Sequence, residues 1–405
     1  MTQTNTLNAG DFLLANWAQA IRKSALQQML TEASRPDIIS FALGLPDIKL
    51  FPTAAYSDAV TQVLATDPLA MQYGPPFGPL KLHIVSLMKA RGVDCKPEQI
   101  FLTTGAQQGL NLLARLLLDP GGQVIMEEMS YTGFQQVIEP FQPEILTVQT
   151  DLETGMSVDE VELLLRRGAR PAFIYTVTDG HNPMAVCMSQ EKRLRLVELA
   201  RQYGVPIIED DAYGFLYYNE TPLPPMRALD DRIVLYVGTV SKILGPGLRV
   251  GWLVVPEFLI PSLSVVKEAS DIDTSTFVQR TVSAYADQGG LLDHIAVLRT
   301  EYKLRRDTMI NALSQHLPTQ ARWQIPTSGV FVWVELPDHL NGGDLLKISM
   351  SREQVAFVPG AAFCSRQNNH GANCIRLNFS HSAPKLIDEG VRRLARALKA
   401  LEDEQ

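Results

Sequence analysis

The middle of this chain alternates short apolar runs with amphipathic stretches, and this alternation restricts the possible folds more than any other feature. Four runs have the length and composition of buried strands: Gln123-Val-Ile-Met, Ala172-Phe-Ile-Tyr-Thr-Val, Val205-Pro-Ile-Ile-Glu and Ile233-Val-Leu-Tyr-Val-Gly. Stretches with helical periodicity lie between them, including 158–167 and 190–202. Strands that alternate with helices are typical of an α/β fold with a mostly parallel sheet.

The length of the chain favours two domains. Its 405 residues exceed what one small hydrophobic core usually contains. From about residue 293 the pattern changes to a long helix followed by strand-like pieces at 330–334 and 375–379. We therefore predict a large domain over 50–292 and a smaller α+β domain formed by 1–49 together with 293–405. The boundary lacks a Pro/Gly/Ser linker, so the two domains should pack closely.

Composition and charge exclude several classes of partner. The net charge of −8 does not attract nucleic acid or an anionic membrane. The sequence contains neither a signal-peptide pattern at its start nor an apolar run of the ~20 residues that span a bilayer. Its four cysteines are scattered, which is typical of reduced thiols rather than of a disulfide or zinc framework. We expect a cytoplasmic globular protein that binds neither nucleic acid nor membrane.

One lysine stands where an α/β fold places its ligands. Lys242 follows the apolar run at 233–238, and the carboxyl ends of such strands form the binding edge of the sheet. A deprotonated amine there can condense with an aldehyde, and burial beside a cation favours deprotonation. Thr239, Ser241 and Arg249 could hold a phosphate next to it. The alternative is a solvated lysine beside a glycine turn.

Two further motifs also follow strand-like runs. In Glu209-Asp210-Asp211-Ala-Tyr213, a carboxylate could pair with a pyridine nitrogen and keep the ring protonated, while the tyrosine reaches a ring oxygen. The alternative is a pair of solvated acids at a strand end. In Thr103-Thr-Gly105-Ala106-Gln107, small residues open a helix whose free N–H groups could bind phosphate. An ordinary helix cap would look the same.

Together, and in this order along the chain, the three motifs resemble those of fold-type I pyridoxal 5′-phosphate (PLP) enzymes of the class I/II aminotransferase family. Within that family, the chain is most similar to the branch of 2-aminoadipate and aromatic aminotransferases and of MocR-type catalytic domains. The resemblance extends from about Ile38 to Ala397. It implies an α/β large domain with a mostly parallel sheet, a smaller α+β domain, and PLP as the cofactor.

The resemblance also implies roles for individual residues. Lys242 would carry the cofactor as a Schiff base and then transfer protons. Asp210 would pair with the pyridine nitrogen, in preference to Asp211, because the family's spacing to the tyrosine fits Asp210. The aromatic ring of Tyr131 would stack on the cofactor. The ring oxygen would be bound by Tyr213 and Asn182.

The remaining implied contacts concern the phosphate and the substrate. The phosphate would be bound by Gly105, Ala106, Gln107, Thr239, Ser241 and Arg249. Tyr73 would reach the phosphate of a neighbouring subunit, so the family implies a homodimer with shared active sites. Arg376 would bind the α-carboxylate of the substrate as a bidentate pair, with help from the backbone near Gly44.

The chain departs from the family pattern around the substrate. Where the family has Gln-Asn-Pro-Thr-Gly, this chain has His181-Asn182-Pro-Met184-Ala185. The imidazole of His181 could donate a proton or contact the substrate or cofactor ring; alternatively, it is only a change in packing. The loop after Tyr73 is also shorter than is usual, and in the family this loop borders the pocket of the partner subunit.

We expect a PLP-dependent aminotransferase that converts an L-amino acid to a 2-oxo acid, with a second 2-oxo acid as the acceptor. The departures leave a PLP-dependent oxidase, cyclase or lyase as the alternative, because fold does not determine reaction. A third hypothesis, a ligand-sensing MocR-type regulator, requires a winged-helix segment before the PLP domain. The acidic chain has no basic recognition helix that would support it.

Overall fold

The computed structural model describes residues 14–19, 35, 37–218, 221–365 and 370–404. Most of the predicted N-terminal portion of the small domain, namely 1–13, 20–34 and 36, lies outside the described residues.

The β-strands are numbered in chain order. They are β1 (Ile39–Ser40), β2 (Ile100–Thr103), β3 (Gln123–Glu127), β4 (Glu144–Val148), β5 (Thr150–Asp151), β6 (Gly155–Met156), β7 (Pro171–Thr176), β8 (Ile207–Asp211), β9 (Val234–Thr239), β10 (Gly251–Val254), β11 (Arg322–Trp323), β12 (Phe331–Glu335), β13 (Val355–Ala356), β14 (Val358–Pro359) and β15 (Cys374–Asn378).

The α-helices within the described ranges are referred to by their bounds. They are Asn16–Gln19, Thr53–Thr66, Gly78–Ala90, Ala106–Leu117, Thr132–Ile138, Val158–Arg166, Gln190–Tyr203, Ile260–Asp271, Thr276–Asp287, Gly290–His316, Gly342–Ile348 and Pro384–Asp403. Along these ranges, no helix combines the length and the apolar character that crossing a bilayer requires.

A seven-stranded sheet forms the centre of the fold, in the order β2-β10-β9-β8-β7-β3-β4. All neighbours pair in parallel except β10, which is antiparallel to both β2 and β9. Because successive side chains of a strand face opposite sides, Val124 and Met126 pack into one apolar cluster with Leu113, whereas Ile125 packs into another with Val197. Helices therefore cover both faces of the sheet, and the predicted α/β class is confirmed.

A second, antiparallel sheet has the order β11-β12-β15-β14. Beside it, β1 pairs in parallel with β13, so the chain near residue 40 lies with the C-terminal part of the protein. The helices Gly290–His316 and Pro384–Asp403 contribute Leu298 and Leu394 to the apolar cluster that also contains Val332 of β12. The division into a large domain over 50–292 and a small domain formed by 1–49 and 293–405 stays a prediction.

Two glycines form a close backbone contact between a loop of the large sheet and the start of the small one. Gly180 follows β7 and Gly329 precedes β12, with φ angles of +60° and +81°. A Cβ atom built on Gly180 would lie 2.7 Å from the Cα of Gly329, so the two backbones touch where no side chain fits. The contact fixes the loop that carries Asn182 against the start of β12.

We predict that Gly180→Ala destabilises the protein more than Gly204→Ala. Gly204 has a similar φ of +68° but open space around its Cβ position, so alanine there adds only backbone strain of about 1 kcal/mol. Alanine at residue 180 adds an overpacking cost of a further ~1–3 kcal/mol. Urea unfolding of both apoproteins measures the difference. Equal losses would show that the glycine contact yields without cost.

Candidate active site

A cavity of about 500 Å³ opens where the carboxyl ends of β7, β8 and β9 meet the segment 42–45 and the small sheet. Most of the residues that the sequence singled out line it: Gly44, Ala106, Gln107, Tyr131, Asn182, Asp210, Tyr213, Thr239, Ser241, Lys242, Arg249 and Arg376. Gly105 immediately precedes Ala106. Residues far apart in sequence thus meet at one edge of the sheet, as the strand-end argument expects.

Lys242 projects into the cavity just after β9. Its Nζ atom donates a hydrogen bond to the carbonyl oxygen of Gly44 at 2.6 Å. Burial lowers the pKa of Lys242 to about 8, the Arg376 and Arg249 guanidiniums act in the same direction, and Asp210 opposes them. On the order of a tenth of the amine is therefore uncharged at neutral pH, and that form can act as a nucleophile or a base.

Asp210 is buried near the end of β8, and only one of its two carboxylate oxygens has a hydrogen-bond partner among the described residues. Its Oδ2 atom accepts a hydrogen bond from the Tyr175 hydroxyl at 3.0 Å. Its Oδ1 atom is buried and has no partner among the described residues. Burial raises the pKa of Asp210 to about 7, and the neighbouring Asp211 also raises it. Oδ1 is a strong acceptor and is available to a donor group that enters the cavity.

Asp211, the next residue, is fully engaged elsewhere. Its carboxylate forms an ion pair with Arg91 at 3.2 Å and accepts hydrogen bonds from Gly214 N at 2.6 Å and the Tyr236 hydroxyl at 2.9 Å. Adjacent strand residues face opposite sides of the sheet, which is why only Asp210 lines the cavity. The geometry supports the choice of Asp210 over Asp211.

One end of the cavity is suited to an anion. The helix Ala106–Leu117 begins there, after Gly105 with a φ of +84°, and the first N–H groups of a helix attract negative charge. Arg249 lies over this turn and donates to Thr104 O at 3.0 Å. A Cβ atom on Gly105 would come within 2.4 Å of the Arg249 Nη2 atom, so only glycine allows this approach.

The hydroxyls of Thr239 and Ser241 complete the anion-binding end. Their oxygen atoms lie 2.9 Å apart, and both residues line the cavity together with Arg249. Hydroxyls, helix N–H groups and a guanidinium are the donors that proteins use for phosphate.

Arg376 occupies the side of the cavity formed by the small sheet. Its guanidinium donates to the Asn182 Oδ1 atom at 2.7 Å and to the Ala42 carbonyl at 2.7 Å. It lies over the rings of Phe331 and Phe363, 4.1 and 4.7 Å from their centroids. Burial lowers the pKa of Arg376 to about 10, which still leaves it charged at neutral pH. It is a fixed, desolvated cation suited to a carboxylate.

Two tyrosines line the cavity between the anion-binding end and Arg376. Tyr131 begins the helix Thr132–Ile138, and its hydroxyl donates to Gln107 Oε1 at 3.1 Å. Burial raises the pKa of Tyr131 to about 12, so the hydroxyl stays protonated. Tyr213 lies edge-on to Phe331, with 5.8 Å between ring centroids.

The structure differs from the expectation at His181. Its imidazole is buried outside the cavity lining, with Nε2 3.6 Å from Glu127 Oε1 and Nδ1 accepting from Met184 N at 3.3 Å. Burial lowers its pKa to about 3. The side chain packs inside its own turn and against Glu127 of β3, and it does not reach the cavity.

Tyr73 also lies away from the cavity of its own chain. It is 78% exposed and borders a separate surface depression with Thr274 and Phe277. This position is compatible with the predicted contact across a subunit interface, which stays a prediction.

Sequence reasoning missed several residues of the site. Tyr175, the donor to Asp210, reads as an ordinary core residue of an apolar strand, and only the pairing of β7 with β8 brings it to the carboxylate. Phe331 and Ala42 likewise meet Arg376 through tertiary packing. No local motif marks these residues.

The cavity suits PLP. An amine with a lowered pKa, a buried carboxylate oxygen without a partner among the described residues, and a helix N-terminus beside an arginine occupy three different parts of one space. These match the aldehyde, the ring nitrogen and the phosphate of that cofactor. Of the three groups, Asp210 Oδ1 is the strongest indication of a bound ligand, because a buried acceptor without a donor lowers the stability of the fold unless a ligand supplies the donor.

We predict that the two aspartates have opposite effects on apoprotein stability. The folded-state pKa of Asp210, about 7, lies above its ordinary value of 3.8, so ionisation destabilises the fold as pH rises from about 4 to about 7. Asp210→Asn removes that cost and should stabilise the apoprotein by ~1 kcal/mol or more at pH 8, with little gain at pH 4. Asp211→Asn removes one of the two carboxylates that pair with Arg91, while Asp179 remains, and should destabilise by ~1–3 kcal/mol.

Urea unfolding of the two apoproteins at pH 4 and pH 8 measures both effects. A loss of stability in Asp210→Asn as large as that in Asp211→Asn would contradict this description of the site.

Comparison with known proteins identifies the family. The profile of the family described as aminotransferase class I and II matches residues 37–394. Aromatic-amino-acid aminotransferase 1 of Thermococcus litoralis is 35% identical over 391 residues, which cover 94% of this chain and 93% of that protein. The 2-aminoadipate transaminase of Thermus thermophilus is 34% identical over 400 residues, with coverages of 95% and 98%.

A solved structure agrees. The alpha-aminoadipate aminotransferase of Thermus thermophilus, complexed with N-(5′-phosphopyridoxyl)-L-leucine, superposes with a TM-score of 0.89 at 33% identity, covering 97% of this chain and 98% of that one. The chain therefore belongs to the aminotransferase class I and II family and is a PLP-dependent aminotransferase that acts on an amino acid.

Proposed function

We propose that this enzyme transfers the amino group of a large L-amino acid to a 2-oxo acid. The observation that carries the proposal is the buried Arg376 guanidinium, which lines the same cavity of about 500 Å³ as Arg249 and the start of the helix Ala106–Leu117. Both arginines act electrostatically on the Lys242 amine, so one cation fits a cofactor phosphate and the other a substrate carboxylate. The lining near residues 43–45 adds the apolar side chains of Leu43 and Leu45.

Bound PLP supplies an aldehyde that takes up the substrate's amino group and a protonated ring that withdraws electrons from the substrate's Cα. Lys242 is the residue that we propose as its attachment point and as the base that removes the Cα proton. Its lowered pKa of about 8 lets Nζ accept a proton near neutral pH and return it at a later step. The carbonyl of Gly44 at 2.6 Å orients the amine while it is free.

Asp210 provides the negative charge that keeps a ring nitrogen protonated. Its Oδ1 atom, which has no partner within the described part of the chain, accepts the N–H, while the Tyr175 hydroxyl holds the other oxygen in place. A charge-assisted hydrogen bond in a desolvated site is stronger than a neutral one. We assign the ring oxygen to Tyr213 and Asn182, and the ring face to Tyr131, since all three line the cavity with Asp210.

Arg376 is proposed to bind the substrate's α-carboxylate. Each terminal nitrogen already donates one hydrogen, to Asn182 and Ala42, and each carries a second hydrogen for the substrate. Phe331 and Phe363 hold the guanidinium in position. A bidentate pair there fixes the Cα–H bond relative to Lys242 and excludes water from the reacting atoms.

Among the described lining residues, the cations are Lys242, Arg249 and Arg376, each of which already has a role in this scheme. The substrate side chain therefore meets Leu43, Leu45 and neutral polar groups, which supports a large uncharged side chain. His181 is one of several departures that leave other PLP chemistries open, and its imidazole, buried outside the cavity lining, gives those chemistries no support.

We also propose a homodimer with shared active sites. Tyr73, Met71 and Leu69 are 78%, 84% and 59% exposed, and neighbouring exposed apolar side chains favour a protein interface. In such a dimer, Tyr73 would reach the cofactor phosphate of the partner subunit. We place the enzyme in the cytoplasm as part of the same proposal, which the scattered cysteines support.

The substrate proposal is tested by adding single amino acids to the PLP-loaded enzyme. We expect large uncharged L-amino acids to abolish the visible absorbance of the cofactor, with one equivalent of 2-oxo acid formed per site, and a 2-oxo acid with an uncharged side chain to restore it. Lys242→Ala should not show the visible absorbance, whereas Lys267→Ala, which removes another buried lysine, should retain it. Products other than a 2-oxo acid would contradict transamination.

Mixed dimers test the role of Tyr73. Lys242→Ala and Tyr73→Phe should each be weakly active alone. After the two are unfolded and refolded together, half of the sites in each mixed dimer combine an intact Lys242 with an intact Tyr73 from the other subunit. We expect the mixture to regain activity, measured against the separately refolded variants. Activity no higher than their average would mean that Tyr73 does not act across an interface.

A further inference from the structure

Arg91 is a buried arginine that lies just beyond the helix Gly78–Ala90, outside the cavity lining. It is 4% exposed, and its guanidinium joins three acceptors. Nη1 donates to the Gly214 carbonyl at 2.6 Å, and Nη2 donates to Asp179 Oδ2 at 2.7 Å and to Asp211 Oδ2 at 3.2 Å. These acceptors belong to two separate loops.

The first loop is the segment 210–214, which presents Asp210 and Tyr213 to the cavity. Asp211 directly follows Asp210, and Gly214 directly follows Tyr213. Both Asp211 and Gly214 accept hydrogen bonds from the Arg91 guanidinium. Asp211 also accepts from Gly214 N at 2.6 Å, which closes the turn on itself. The guanidinium thus determines the path of the backbone between the two proposed ring contacts.

The second loop is the segment 178–182, which presents Asn182. Asp179 pairs with Arg91 at 2.7 Å and with Arg193 at 2.7 Å, so a single carboxylate joins two arginines. Although burial opposes it, the carboxylates of Asp211 and Asp179 raise the pKa of Arg91. The guanidinium is permanently charged and its partners are held firmly.

The packing around this cation leaves no room for a larger residue. A Cβ atom on Gly214 would lie 2.3 Å from Arg91 Nη2 and 2.3 Å from Asp211 Oδ1. The glycine that follows Tyr213 is therefore required by the guanidinium, and not by a positive φ angle. A shorter or differently shaped cation cannot hold the same three acceptors, because lysine offers a point charge in place of a planar fork.

We infer that Arg91 is a positioning residue for the cofactor, because one guanidinium holds the segments 210–214 and 178–182 in fixed positions relative to each other. The inference rests on the proposed roles of Asp210, Tyr213 and Asn182. Arg91 does not line the cavity itself. It acts by fixing the distance between the ring-nitrogen contact on one loop and the ring-oxygen contact on the other.

Arg91→Lys tests this inference, with Arg227→Lys as the matched control. Arg227 is equally buried at 2% exposure, but its side-chain donor bonds go to the Asp231 and Val234 carbonyls, away from the cavity. Both variants should lose stability in urea unfolding of the apoproteins. In Arg91→Lys alone, we expect the Kd for PLP to rise about tenfold or more and the visible circular dichroism per bound cofactor to fall, since that signal reports ring orientation.

A purely structural role gives a different result. Arg91→Lys would then lose stability like Arg227→Lys, with unchanged PLP affinity and unchanged circular dichroism, and the inference would be overturned. If Arg91→Lys does not fold, Tyr236→Phe provides the same test, because it removes one donor to Asp211 and keeps every charge. It should reduce the circular dichroism to a smaller degree, and an unaltered spectrum would again overturn the inference. Failure of the wild-type protein to bind PLP would instead contradict the proposed function.

Discussion

The site depends on the burial of one carboxylate oxygen, the Oδ1 atom of Asp210. Asp210 Oδ1 has no partner among the described residues, although its companion oxygen is held by Tyr175 at 3.0 Å. An ionised carboxylate in this environment is unstable, and burial accordingly raises the pKa of Asp210 to about 7. A cationic ring nitrogen would offset this desolvation cost.

Successive side chains of β8 face opposite sides of the sheet, which explains why two adjacent aspartates have different partners. Asp211 faces Arg91 and the Tyr236 hydroxyl and is neutralised, whereas Asp210 faces the cavity. In the same cavity, Arg376 is held by Asn182 and by two aromatic rings. Asn182 belongs to the segment 178–182, which Arg91 contacts through Asp179, so the proposed cofactor contacts and the proposed substrate cation are linked through that segment.

Sequence reasoning predicted the features that depend on short-range pattern. Apolar runs located β3, β7, β8 and β9, and strand-end motifs located Lys242, Asp210 and Arg249, because the carboxyl ends of parallel strands meet at one edge. It failed where the answer depends on side-chain direction: His181 is adjacent to Asn182 in sequence, yet only Asn182 lines the cavity. It also missed Tyr175 and Arg91, whose partners lie in other strands and loops and leave no local signal.

We propose that Asp210 keeps the ring nitrogen of bound PLP protonated. The most direct measurement is the nuclear magnetic resonance chemical shift of PLP labelled isotopically at that nitrogen, in the wild-type enzyme and in Asp210→Asn. We expect the wild-type shift to be that of a protonated pyridine at and above neutral pH, and the Asp210→Asn shift to be that of a neutral ring. A neutral ring nitrogen in the wild-type enzyme at neutral pH would contradict the account.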